Sequence, residues 1–214
     1  LVTYRCVIEY DGTAFAGWQF QPGLRTVCGA VETTLSDLYD EPIKLTAAGR
    51  TDTGVHATGQ VISFSSERLF PIERLALALN ARLPPDISAR EAAIAADGFS
   101  ARHDALSRTY EYLIVNRSTP SAPVGRLAHH VWKAIDPARF ERAAADLIGE
   151  YDFLAFCGVL PARGPTVRAV DDIPRIIASR DRKQAGYTAP ACGLFLAGVS
   201  YPDFDSYRPA IPGL

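Results

Sequence analysis

Apolar positions along this chain switch between a period of two and a period near three and a half, and the switches mark its elements. Thr3 to Glu9 is rich in β-branched and aromatic residues and reads as a strand. Asp11 to Arg25 breaks that pattern with glycines and scattered aromatics and reads as a loop. Thr26 is an N-cap for a helix that places Val27, Ala30, Val31, Leu35 and Leu38 on one face. Strands are predicted over Ile43 to Ala48 and Gln60 to Ser65, with a tight turn between them. Pro71 opens a second helix carrying Ile72, Leu75, Leu79 and Leu83, and Pro84-Pro85 closes it. Ile87 to Ala95 reads as one more strand.

The second half repeats this order. Thr109 to Ile114 echoes Thr3 to Ile8, a long loop follows, and Ala128 to Lys133 reads as a strand. Asp136-Pro137 then supplies the cap and first-turn proline of a helix whose buried face would be Phe140, Ala143, Ala144 and Leu147. Thr166 to Val170 should begin another strand. Such self-similarity at half the chain length predicts an α+β fold of two β-α-β-β-α-β-like halves, residues 1–104 and 105–214. Their antiparallel sheets would meet at a central cleft.

Composition narrows the function classes. The 214 residues are 48% hydrophobic, enough for a real core. The formal charge of −2 excludes a uniformly basic nucleic-acid binder, so a polyanionic partner would need a local basic cleft. Arginine outnumbers lysine 19 to 3, a ratio that genome composition explains as well as phosphate recognition does. Cys6, Cys28, Cys157 and Cys192 are scattered without a CxxC pair, and His129-His130 would point to opposite faces of a strand. These patterns predict no metal, no disulfide and a cytoplasmic chain without a membrane span.

The densest chemistry lies in Gly49-Arg50-Thr51-Asp52-Thr53-Gly54-Val55-His56-Ala57, immediately before a β-leaning run. A carboxylate between glycines suits an acid held in a tight turn at a strand edge. Arg50 is close enough to keep it ionised or to contact a phosphate. The phosphate-loop pattern GxxxxGK[ST] is absent. Taken alone, an aspartate in such a turn more often caps its own backbone.

This segment resembles the signature of the tRNA pseudouridine synthase A family. Four further blocks match in family order. They are Tyr10 to Gln21 followed by Thr26-Val27, Leu83 to Ile87 followed by Phe99 to Arg102, Arg108 to Tyr112, and Ala185 to Leu196. Cys28 stands where the family commonly has glutamine. The resemblance implies the pseudouridine synthase fold with its site in the cleft. It implies isomerisation of uridine in the anticodon stem-loop of tRNA, a homodimer and no cofactor.

By the same resemblance Asp52 is the catalytic carboxylate, and Tyr110 is the residue that stacks on the flipped base. Arg50 would fill the space the base leaves or hold a phosphate, and His56 would contact the RNA backbone. Plainer readings stand beside these. Tyr112 shares a face with Tyr110 and competes with it, and Trp18 and Phe15 could stack bases or anchor their loop. The four histidines read as ordinary surface or hydrogen-bonded residues, and Arg180, Arg182 and Lys183 as a solvated helix end. One family block is missing. The strands and helix of the form F-L-x-x-M-V-R-x-I-V-G, with the arginine that pairs with the aspartate, have no counterpart between Val170 and Asp171.

Two other functions fit parts of the pattern. A non-catalytic RNA-binding module of the same fold would need no carboxylate at position 52. A glycoside or nucleoside hydrolase would need a second carboxylate, for which Glu9, Asp11 and Asp104 are the candidates.

Overall fold

The computed structural model describes residues 1–156 and 173–211. Thr166 to Val170 and the junction at 170/171 lie outside that range. The fold is α+β. Strands β1 (Val2–Tyr10), β2 (Leu45–Ala47), β3 (His56–Ser66), β4 (Ile87–Ile94), β5 (Ser107–Tyr112) and β8 (Leu194–Ser200) form one six-stranded sheet, ordered β4-β1-β3-β8-β5 with β2 paired to β3. Strands β6 (Ile114–Asn116) and β7 (His129–Val131) form a separate two-stranded sheet.

The expected second sheet therefore does not stand apart from the first. β8 runs parallel to β3 through His56↔Phe195 and Ala57↔Leu196, and β5 adds antiparallel to β8. By packing, the chain divides into Leu1–Ile114 with Ser121–His129 and Ala191–Leu214, and Val115–Pro120 with His130–Pro190. A division at 104/105 follows the internal repeat, whereas the sheet takes strands from both halves.

The first unit holds the core. In β1, Tyr4, Cys6, Ile8 and Tyr10 are all at most 4% exposed, and Tyr4, Cys6 and Ile8 pair with Phe64, Ile62 and Gln60 of β3. These alternate residues share one face of the sheet. Helix α1 (Val27–Tyr39) starts where Thr26 accepts the Gly29 N–H, and it buries Val27, Val31 and Leu35. Tyr39 at its end packs edge-on against Tyr4 and Phe64, tying the helix to the sheet. Helix α2 (Ile72–Asn80) buries Leu75 and Leu79, and Leu83 stays in the core although the helix ends before it.

Within the second unit, Asp136 caps helix α3 (Pro137–Ala145) as the sequence predicts, accepting from the Ala138 and Arg139 N–H groups. Its expected buried face is not buried. Phe140 is 57% exposed, and Leu147 lies beyond the helix end and is 39% exposed. Capping is local and survives, whereas burial of the stripe requires a partner surface that the described residues do not supply. Helix α4 (Ile173–Ser179) buries Ile176. Arg180 pairs with Asp152, and Arg182 is held by Gly186 O and Thr188, so two residues of the basic run serve local structure. Among the described residues no helix is long and apolar enough to cross a membrane.

Candidate active site

Asp52 opens a tight turn closed by the Val55 N–H on its carbonyl at 3.1 Å. Gly54, third in that turn, has φ of 79°, a conformation that a side chain would strain. The Asp52 side chain is exposed, while Thr51 just before it is buried. The turn thus displays its carboxylate while its flanks are fixed.

The fixing is done by a second loop and by three strands. Gly12 sits so close to the turn that a Cβ on it would fall 2.0 Å from the Val55 carbonyl oxygen. Trp18 donates its N–H to Thr51 O at 2.9 Å and accepts on its own carbonyl from Cys28 N at 3.0 Å. Phe15 and Trp18 are 2% and 3% exposed, so both rings anchor the loop in the core. Arg25 lies over the Phe15 ring at 4.0 Å and holds Asp86 with two hydrogen bonds of 2.7 Å.

From β1, Tyr10 shares a 2.8 Å hydrogen bond with the Thr51 hydroxyl. From β3, Gln60 donates to Gly49 O at 2.7 Å and accepts from Gly49 N at 3.3 Å. From β5, Arg108 donates through Nε to Ala48 O at 2.7 Å and through Nη2 to Arg102 O at 3.0 Å. Sequence reasoning missed these supports. Their one signal was Gln60, a polar residue in register with Ile62 and Phe64 on the core face, where an unpaired amide would cost several kcal/mol (roughly).

Tyr110 follows Arg108 on β5 and is 47% exposed. A Cβ on Gly49 would stand 3.6 Å from its hydroxyl, so the structure brings Tyr110 to the start of the Asp52 loop. Tyr112 is separated from it. Its ring packs edge-on to His129 and against Gly193, and burial raises its phenol to about 12. A cleft of 630 Å³ is lined by Trp18, Gly49, Arg50, Arg102, Arg108 and Tyr110, among others. Its charged side chains are Lys44, Arg50, Arg102 and Arg108 against Glu32 alone, and Glu32 is bound to Lys44 at 2.8 Å. The net local charge is positive on a chain of net charge −2.

His56 is placed differently from its expected role at the RNA backbone. It is 0% exposed, accepts the Gly12 N–H on Nδ1 at 3.0 Å and stacks on Phe195 with centroids 4.7 Å apart. Burial lowers its pKa, against the pull of the Asp11 carboxylate 3.3 Å away. The neutral imidazole holds the two loops together and meets no solvent-borne ligand. The plainer reading of this residue as a hydrogen-bonded histidine describes it.

The carboxylates proposed as second acids are engaged elsewhere. Burial pushes Asp11 upward, but hydrogen bonds from Thr13 and the nearby Arg126 guanidinium outweigh it and leave its pKa lowered. Glu9 faces Arg90 at 3.7 Å, and Asp104 accepts the Ser100 N–H at 2.8 Å. Among the described residues no three His, Cys, Asp or Glu side chains cluster as metal ligands would.

A family model described as tRNA pseudouridine synthase matches residues 6–104. The tRNA pseudouridine synthase A of Caldicellulosiruptor saccharolyticus is 35% identical over 237 aligned positions, which cover 91% of this chain and 97% of the relative. That of Moorella thermoacetica is 39% identical over 92% of this chain and 98% of the relative. That of Salmonella arizonae is 36% identical over 94% and 91%. Since 91% of 214 residues is about 195, some 42 of the 237 positions have no residue of this chain opposite them. With about a third of its residues identical to theirs across nearly their whole length, the chain belongs to the tRNA pseudouridine synthase A family.

Proposed function

We propose that this protein isomerises uridine to pseudouridine in the anticodon stem-loop of tRNA, with Asp52 as the essential carboxylate. The observation that carries the proposal is an exposed aspartate on a rigidly held turn, two residues after Arg50, which lines a basic cleft together with Tyr110. The reaction breaks the N1–C1′ bond of the nucleotide, turns the uracil over and forms a C5–C1′ bond. The C5 proton leaves and N1 gains one, so no oxidant, reductant or cofactor is consumed. Asp52 serves as nucleophile at the ribose or as base. Tyr110 offers a flat face for the flipped base and a phenol tip for proton movement at C5. Arg50 holds a phosphate or fills the vacated stack.

The enzyme acts as a cytoplasmic homodimer in this reading. Two copies would join their clefts into a larger basic surface, which reconciles a slightly acidic chain with a polyanionic substrate. The test is to incubate the protein with unmodified tRNA, map pseudouridine and quantify free uracil. Pseudouridine in the anticodon arm without free uracil is the expected result. Binding without product would establish the RNA-binding module instead, and free uracil would establish a hydrolase.

A further inference from the structure

Three side chains from three strands converge on three loop residues within a run of four: Arg108 on Ala48, Gln60 on Gly49 and Tyr10 on Thr51. Two of them are buried where such polarity is costly. Gln60 is 0% exposed and Tyr10 is 4% exposed. Gln60 uses its amide as donor and acceptor on a single backbone residue, a geometry that fixes the orientation of the peptide as well as its position. Burial raises the Tyr10 phenol to about 12, and its hydrogen-bond partner in the fold is the Thr51 hydroxyl, so the buried phenol stays neutral and shares its hydrogen bond with the loop. A core tyrosine and a core glutamine that served only packing could be apolar residues at no cost.

We infer that Tyr10 and Gln60 are positioning residues for the reaction, forming one buried clamp that sets where the Asp52 carboxylate stands relative to Tyr110. This rests on the reading of Asp52 given above. Neither clamp residue touches substrate. Each acts on the backbone at Gly49 or Thr51, and Arg108 ties that backbone to the strand that carries Tyr110. Misplacement of a catalytic group by about 1 Å can cost up to about a hundredfold in rate. Loss of one clamp hydrogen bond should therefore appear chiefly in kcat and change the KM for tRNA little, since every charged side chain of the basic cleft is retained.

The experiment measures kcat, KM for tRNA and thermal midpoint for Tyr10→Phe and Gln60→Glu, with Asp52→Asn and Tyr39→Phe alongside. Tyr39 is another buried phenol, packed with Tyr4, Phe64 and Phe70 and not bonded to the loop. Tyr10→Phe should lower kcat about tenfold, the rate equivalent of one hydrogen bond, with KM little changed. Tyr39→Phe should leave kcat unchanged. Gln60→Glu carries its own signature. A neutral carboxyl can donate to Gly49 O and accept from Gly49 N as the amide does, whereas a carboxylate can only accept and would face the Gly49 carbonyl. Burial raises a carboxyl pKa, so the deficit in kcat relative to the parent should be about tenfold near pH 8.5 and shrink toward pH 6 (roughly).

If Asp52→Asn retains full turnover, the Asp52 reading itself falls. If Asp52→Asn is inactive while Tyr10→Phe and Gln60→Glu match the parent kcat at every pH, the clamp alone is overturned. A fall in kcat that follows a fall in thermal midpoint equally in Tyr39→Phe would also overturn it, because the effect would then be core stability.

Discussion

The loop that carries Asp52 and the helix α3 in the other compact unit are both well specified locally, yet one is locked and the other is not. The Asp52 loop is gripped by Gly12, Trp18, Tyr10, Gln60, Arg108 and His56, and its flanks are buried. Helix α3 has an ideal start at Asp136-Pro137, but Phe140 on its apolar stripe is 57% exposed. Local signals decide that an element forms; contacts from distant chain segments decide whether it holds a fixed place. In a catalyst the exposed carboxylate must belong to the first kind of region, because rate depends on geometry held before the substrate arrives.

The contrast can be broken by mutation. The largest effect should come from the core of the first unit. Leu35→Ala, at 0% exposed, should cost about 3 to 4 kcal/mol in urea unfolding. Phe140→Ala in α3 should cost under about 0.5 kcal/mol. A Phe140 loss as large as the Leu35 one would mean that its face is covered in solution, and the contrast would fail. Next comes Gly12→Ala, whose Cβ would meet the Val55 carbonyl at 2.0 Å. It should cost about 2 to 3 kcal/mol, as overpacking does, and it should lower kcat as well because the turn must shift. Asp136→Ala should cost about 1 kcal/mol, the worth of a cap, confined to the second unit and measured by amide exchange in α3.

The smallest effect is electrostatic. His56 has a lowered pKa in the fold, so the unfolded chain takes up its proton first as pH falls. Its contribution to stability is fully present above the unfolded pKa near 6.5 and is lost as pH falls below that. His56→Asn should flatten the slope of stability against pH in this window. Asp11, with its pKa also lowered, contributes at higher pH and is lost only in the range below the ordinary carboxylate value, so the two windows can be told apart.

Much of this was legible in the sequence. The Thr26 and Asp136 caps, the two first-half helices and the strand-forming composition of β1 and β3 are local signals, and the structure reproduces them. The parallel join of β3 to β8 was not legible, because two residue pairs some 140 positions apart leave no local period. The buried face assigned to α3 failed for the same reason in reverse, since periodicity cannot supply a partner. His56 was misassigned because its neighbours in sequence suggest a ligand while its neighbours in space, Gly12 and Phe195, enclose it. Gln60 could have been flagged as a polar residue on a core face, but which backbone it serves only the fold reveals.

The most direct test of the central claim is Asp52→Asn, read as turnover and tRNA affinity on the same preparation. The account predicts pseudouridine formation reduced by about a thousandfold or more, with affinity equal to the parent or tighter, since one negative charge two residues from Arg50 of the basic cleft is removed. Retained turnover in a properly folded Asp52→Asn protein would contradict it.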